Sequence, residues 1–281
     1  MRSAGYYRVK GASVKAVIHL LLMAVAVSCV FPLVWMVAAS LKTQTTVFDG
    51  AFLPRHPHFE NYLSAWQQGN FGRYFLNSIF YTVSVVAGIV LVSSLAAYAF
   101  SRLRFPGRNI LFYMFILAMM IPLPGSFVAL YVLLNTLHLR DTPAGYILCM
   151  INVGLATSIF LLKTFYDKMP HELEDAARID GCSKLGLWWH VALPLSRPVL
   201  AVVIIFNALN VWNEYILALV TFDSKQLMPL QVALQAFQGE FVTNYPLLMA
   251  ALTITALPII ALYVLMQKYI IKGVTEGVLV G

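Results

Sequence analysis

The sequence predicts an all-α polytopic membrane protein with six transmembrane helices and both termini cytoplasmic. Composition is the first reason: hydrophobic residues make up 60% of the 281 positions and charged residues 11%, against roughly 45–50% and about 25% in soluble domains. The second is run length. Crossing ~30 Å of hydrocarbon at 1.5 Å per residue takes about 20 apolar residues, and runs of that order fall at 16–40, 75–100, 110–134, 144–166, 198–220 and 247–271. They leave room for one membrane domain over residues 1–281 and for no soluble domain.

The third reason is where the basic residues fall. Six spans place alternate connections on opposite sides. With both termini inside, the inner segments hold Arg2, Arg8, Lys10, Lys15, Arg102, Arg104, Arg108, Lys163, Lys168, Arg178, Lys184, Arg197, Lys268 and Lys272, and the outer ones only Lys42, Arg55, Arg73, Arg140 and Lys225. This is a clear positive-inside bias. The net charge of +7 is scattered beside apolar runs instead of forming a stripe, so its partners are lipid headgroups and not nucleic acid.

Taken in order, the first run follows four basic residues, as a signal peptide would. Its apolar part exceeds the ~7–15 residues of a signal core and continues through Phe31, Pro32 and Trp35, which favours a retained helix. The outer connection 41–74 carries Phe48, Phe52, Phe59, Tyr62 and Trp66 and is expected to lie partly along the outer headgroup surface. His56 and His58 sit in one short loop and supply only two ligands, so they read as loop residues and no metal is expected. Cys29, Cys149 and Cys182 form neither a C-x-x-C pair nor an even set, which gives no disulfide framework. In the third span, Pro122-Leu123-Pro124-Gly125 fits either an irregular gate-lining segment or a packing kink. In the fifth, Asn207, Asn210 and Glu214 follow i, i+3, i+7 spacing with Asn213 close to the same face. That stripe fits a path for a hydroxylated solute as well as it fits interhelical hydrogen bonding.

Between the fourth and fifth spans, residues 169–194 read M-P-H-E-L-E-D-A-A-R-I-D-G-C-S-K-L-G-L-W-W-H-V-A-L-P. Pro170 suits a first helical position, and Glu172, Glu174 and Asp175 suit the positive end of a helix dipole. Glu174 and Arg178 stand at i and i+4, and Gly181 can close the helix with positive φ. A second short helix over 184–192 is expected to end at Pro194. Small Ala176 and Ala177 suit a helix docked in a partner's groove, whereas Leu185, Leu187, Trp188 and Trp189 suit a connector lying on the bilayer. The residues alone leave both readings open.

The same segment resembles the E-A-A-x3-G-x9-I-x-L-P signature of the membrane subunits of ATP-binding-cassette (ABC) importers. Asp175-Ala176-Ala177, Gly181 and Val191-Ala192-Leu193-Pro194 reproduce its spacing, with Asp for Glu and Val for Ile. Pro170 to Gly181, Trp212-Asn213-Glu214-Tyr215 and the end from Gln267 to Gly281 further resemble the carbohydrate-uptake branch, especially its maltose-type G permeases. The resemblance implies a coupling helix that docks on cytoplasmic ATPase subunits, with Glu174, Asp175, Ala176, Ala177, Arg178, Asp180, Gly181, Leu193 and Pro194 in the coupling segment. It also implies two ATPase chains holding ATP and Mg, a second and different permease, an external sugar-binding protein, a bacterial or archaeal plasma membrane, and a carboxyl tail, 272–281, reaching the ATPase interface. No G-x-x-x-x-G-K-[ST] loop occurs in the chain, so any nucleotide chemistry belongs to another polypeptide and no cofactor is expected here. Two other classes compete. An autonomous secondary transporter would lean on Glu214 for ion coupling; a membrane enzyme would need an H-E-x-x-H, G-x-S-x-G or similar cluster, and none is present.

Overall fold

The computed structural model describes residues 3–119, 123–237 and 243–278. They form α1 (Ser3–Ser40), α2 (Glu60–Gln67), α3 (Phe71–Arg102), α4 (Arg108–Ala118), α5 (Phe127–Thr136), α6 (Pro143–Lys168), α7 (Glu172–Ile179), α8 (Lys184–Leu187), α9 (Leu193–Leu195), α10 (Arg197–Trp212), α11 (Ile216–Thr221), α12 (Leu230–Ala233) and α13 (Tyr245–Val278), with short 3₁₀ turns between some of them. Among the described residues, four helical segments are long and apolar enough to cross a membrane: Val17–Ser40, Phe71–Arg102, Pro143–Lys168 and Tyr245–Gln267.

The third and fifth predicted spans are not single helices. In place of one helix over 110–134 there are two shorter ones, α4 and α5, separated by a 3₁₀ turn over Leu123–Ser126. A proline has no N–H for the i→i−4 ladder, so Pro124 is a physical reason for the interruption; Pro122 lies outside the described residues. In place of one helix over 198–220, α10 stops at Trp212 and α11 begins at Ile216.

The chain divides into two compact units. The first comprises residues 1–68 and 237–254. Here α1 exposes Leu20, Leu21, Leu22 and Met23 alike, while Ala38, Ala39 and Ser40 at its end are buried. The following loop folds onto that end instead of merely trailing along a surface. Asn61 donates to the Ser40 and Lys42 carbonyls, Tyr62 pairs with the Ser40 hydroxyl at 2.7 Å, and the buried Lys42 ammonium meets Asp49 and the Ala51 carbonyl.

The second unit comprises residues 69–236 and 255–281. Its core is the seam of α3, α6 and α10, filled by Tyr81, Val85 and Ile89 from α3, Tyr146, Met150 and Leu162 from α6, and Leu200 and Val203 from α10. Thr142 and Pro143 start α6 with a hydroxyl accepting from the Gly145 N–H and a proline in the first turn. At the same end of α6, Asp141 accepts from the Asp223 and Ser224 N–H groups and from the Ser224 hydroxyl. These donors, the Ser224 hydroxyl foremost, hold the Asp141 carboxyl below the usual carboxylate range.

A group with a lowered folded pKa stabilises above its unfolded pKa, ~4 for Asp, and loses that contribution as pH falls through the folded value. Asp141 also has φ +56°, a left-handed conformation that Asp and Asn tolerate better than Ala. Thermal unfolding in detergent at pH 7 is therefore expected to show Asp141→Ala destabilised by about 1–3 kcal/mol and Asp141→Asn much less. The gap between wild type and Asp141→Ala should narrow as pH drops below about 4.

Candidate functional site

The site begins with a helix whose two ends are written locally. Glu172, Glu174 and Asp175 lie in the first turn of α7. Gly181 has φ +84°, its N–H bonds the Arg178 carbonyl, and the Cys182 N–H bonds the Ala177 carbonyl, both at 3.0 Å. This pair of bonds is the Schellman closure, and it needs the left-handed residue that glycine supplies without strain. The start differs from expectation: α7 begins at Glu172, and Pro170 precedes its cap residue His171. The chain at Met169 and Pro170 is instead shaped by the end of α6, whose last carbonyls are engaged from outside.

The donor to those carbonyls is Arg102, the last residue of α3. Its Nη2 donates to the Tyr166 carbonyl at 2.5 Å and to the Met169 carbonyl, and its Nη1 donates to His171 Nδ1 at 2.8 Å. Its Nε lies 3.2 Å from Glu174 Oε1, an ion-pair approach without hydrogen-bond alignment, and both side chains are only 2–3% exposed. Glu174 Oε2 faces Arg178 at 3.5 Å, the expected i, i+4 partner. Arg178 also donates to Asp175.

Of the signature residues, Glu174 is thus turned inward, Ala177 and Leu193 are half-buried, and Asp175, Ala176, Arg178, Asp180, Gly181 and Pro194 are exposed. Ile179 is 87% exposed. Of the four apolar residues of the following segment that suited a bilayer-facing connector, Leu187 and Trp188 are instead buried in the protein core, and Leu185 and Trp189 are exposed. That segment does not end at Pro194, as the sequence reading expected. Ser183 caps α8 by accepting from the Gly186 N–H, the helix widens into a π turn over Trp188–Ala192, and α9 carries it through Pro194 to Leu195. The wider turn shifts carbonyl partners by one residue, which relieves the clash a proline ring makes with the i−4 carbonyl of a regular α-helix. A bend of 79° then leads into α10.

The four polar residues of the broken span have different surroundings. Asn207 is buried and donates to the Ser158 hydroxyl at 3.0 Å and the Val203 carbonyl at 2.8 Å, which ties α10 to α6. Asn210 and Glu214 line a cavity of about 730 Å³ together with Asn152 and a wall of leucines from α5 and α6. Asn213 accepts from Gln231 at 3.3 Å. The Glu214 carboxylate accepts from the Leu217 N–H at 2.7 Å and the Ala218 N–H at 3.0 Å, so it caps α11 where the helix restarts. Sequence reading missed Arg102, Ser158 and Asn152. The position of Arg102 at the end of a run was visible, but only as one more positive charge.

Helices long and apolar enough to cross a membrane, together with the short, charged and largely exposed α7, mark a multi-pass membrane protein. The chain belongs to the family of binding-protein-dependent transport system inner membrane components, whose profile matches residues 88–276. It is 38% identical over 252 residues, 89% of this chain and 91% of the relative, to a putative ABC transporter permease protein of Caldicellulosiruptor. It is 33% identical over 265 residues, 93% of this chain and 88% of the relative, to the diacetylchitobiose uptake system permease protein NgcG of Streptomyces coelicolor. Among solved structures, a bacterial ABC transporter involved in the import of the acidic polysaccharide alginate matches with a TM-score of 0.79 and 25% identity, covering 96% of this chain and 98% of that one. The chain is therefore an ABC-type permease of the inner membrane, and the ion-coupled reading is not favoured.

Proposed function

We propose that this chain is one permease subunit of an ATP-driven importer for a di- or oligosaccharide, acting as a single membrane domain. What carries the reading is the outward-facing α7 with its E-A-A-like spacing, in a chain similar over nine-tenths of its length to a permease named for diacetylchitobiose uptake. The six predicted crossings with both termini cytoplasmic place α7 on the cytoplasmic side, with the third and fifth crossings broken. There Asp175, Ala176, Ala177, Arg178, Asp180 and Gly181 present a compact surface to one of two ATPase subunits, which hold ATP and Mg. Glu174 supports that surface from beneath, and Leu193 and Pro194 carry displacement toward α10. A second, different permease completes the path, and an external binding protein delivers the sugar.

Alternating access then follows from closure of the ATPase pair, which moves α7 and the helix ends joined to it. Asn210 and Glu214 border the path along the cavity between α5, α6 and α10, Asn213 stands near its end, and Asn207 serves the path by holding its wall. The mixed apolar and amide lining suits a sugar, which offers both C–H faces and hydroxyls.

The test is co-expression with the ATPase and companion permease, with residues 175–181 replaced by a Gly-Ser stretch. ATPase copurification is expected to be lost while the companion permease is retained. Retention of the ATPase would overturn the coupling assignment. Titration of the external binding protein against a glycan panel identifies the solute class, and binding of no saccharide would overturn the sugar reading.

A further inference from the structure

From the contacts of Arg102 we infer that this arginine is a positioning residue, which locks the coupling helix α7 to the ends of α3 and α6 so that the three shift as one body. The inference rests on the coupling role proposed for α7 and adds to it a route into α3. By chain connectivity, α7 hangs from α6 through Met169, Pro170 and His171 and continues toward α8. A push on α7 delivered only through that linker would be partly absorbed by its bending.

Arg102 removes the slack. One guanidinium spends its fork on two carbonyls at the end of α6, on His171 just ahead of α7, and on Glu174 within α7, while its own backbone ends α3. Its charge sits at the negative ends of two helix dipoles. A lysine ammonium is a point charge and lacks the planar fork that meets these partners together. Burial of both side chains leaves the pair much less screened by salt than a surface pair.

The pair is poorly explained as a stability device. Buried ion pairs contribute little net stability, and apolar replacements of similar volume are often neutral or better. What such a pair does supply is a fixed geometry. It ties α7 to a helix 70 residues earlier in sequence that packs along α6 and α10 through the core of the second unit.

The experiment uses the assembled importer in lipid nanodiscs, with the three cysteines changed to serine and spin labels on Val92→Cys of α3 and Leu173→Cys of α7, both exposed positions outside the 175–181 surface. With Arg102 present, the distance distribution is expected to stay narrow and to move by less than about 2 Å between the nucleotide-free and ADP-vanadate states. With Arg102→Met it should broaden or shift by more than about 2 Å. The variant Arg102→Lys keeps a positive charge beside Glu174, so it leaves no uncompensated buried carboxylate and guards against simple misfolding. It should retain ATPase copurification while sugar taken up per ATP hydrolysed falls roughly 2- to 30-fold.

A native distance that moves by several ångströms on trapping, or variants with native distributions and native uptake per ATP, would overturn the inference. Loss of ATPase binding in Arg102→Lys would also overturn it, since the arginine would then shape the docking surface instead of transmitting its movement. Failure of the α7 reading is separate: it is registered by ATPase retention after replacement of 175–181, whatever Arg102 does.

Discussion

Gly154→Val is expected to abolish folding of the second unit, and Gly154→Ala to destabilise it by about 2–5 kcal/mol. A Cβ built on Gly154 would lie 2.2 Å from Asn207 Oδ1 and 2.4 Å from Ile89 Cδ1, so α6 meets α10 and α3 at one point. The isoleucine tip can swing aside. The amide cannot, because its nitrogen is committed to Ser158 and to the Val203 carbonyl, and Ser158 in turn donates to the Gly154 carbonyl at 2.7 Å. Pushing Asn207 away strands buried polar groups in an apolar seam, at about 1–3 kcal/mol for each, on top of ~1–3 kcal/mol of overpacking. The gain in helix propensity from Gly to Ala is only ~1 kcal/mol. Between apolar helices in lipid, close packing has to do what the hydrophobic effect does in water, which is why small residues gather at such crossings. Thermal unfolding and folded yield in detergent measure the effect. A Gly154→Ala protein as stable as wild type would mean that the crossing has more room than these distances allow.

How much of this was legible in sequence depends on the reach of each determinant. Four of the six apolar runs recur as long helices because hydropathy over about 20 residues is a local property. The closure of α7 was legible for the same reason: Gly181 and the carbonyls it helps satisfy lie within one turn. Breaks were harder. In the third run the prolines pointed to irregularity without deciding between gate and kink; in the fifth no proline marks residues 213–215, and Asn213 and Glu214 read as a stripe on a helix when they stand at its interruption. Pro194 misled because the rule that a proline ends a helix assumes α geometry, and the π turn before it changes the partners. Arg102 was beyond reach, since its partners at 166–174 are brought to it only when α3 packs against α6.

For Glu214, the alanine and glutamine variants are expected to separate. Glu214→Ala should destabilise the fold by about 2–4 kcal/mol, beyond the ~0.5–2 of an ordinary cap, because the Leu217 and Ala218 N–H groups would lose their acceptor in an apolar stretch. Glu214→Gln retains an amide oxygen that can still accept and should lose less than half as much. The Asn213 and Glu214 N–H groups close the end of α10 on Leu209 and Val211, so the break itself persists in either variant and only the restart of α11 is weakened. Uptake should follow folded yield: near wild type for Gln and strongly reduced for Ala. An ion-coupling carboxylate would give another pattern, because Gln would then stop transport as completely as Ala in a protein that remains folded. Asn210→Ala supplies the complementary measurement. Asn210 borders the same cavity without capping a helix, so its loss should raise the sugar concentration needed for half-maximal uptake and leave the unfolding midpoint in place. If Asn210→Ala lowers the midpoint and spares uptake, the cavity is a packing seam and the path runs elsewhere.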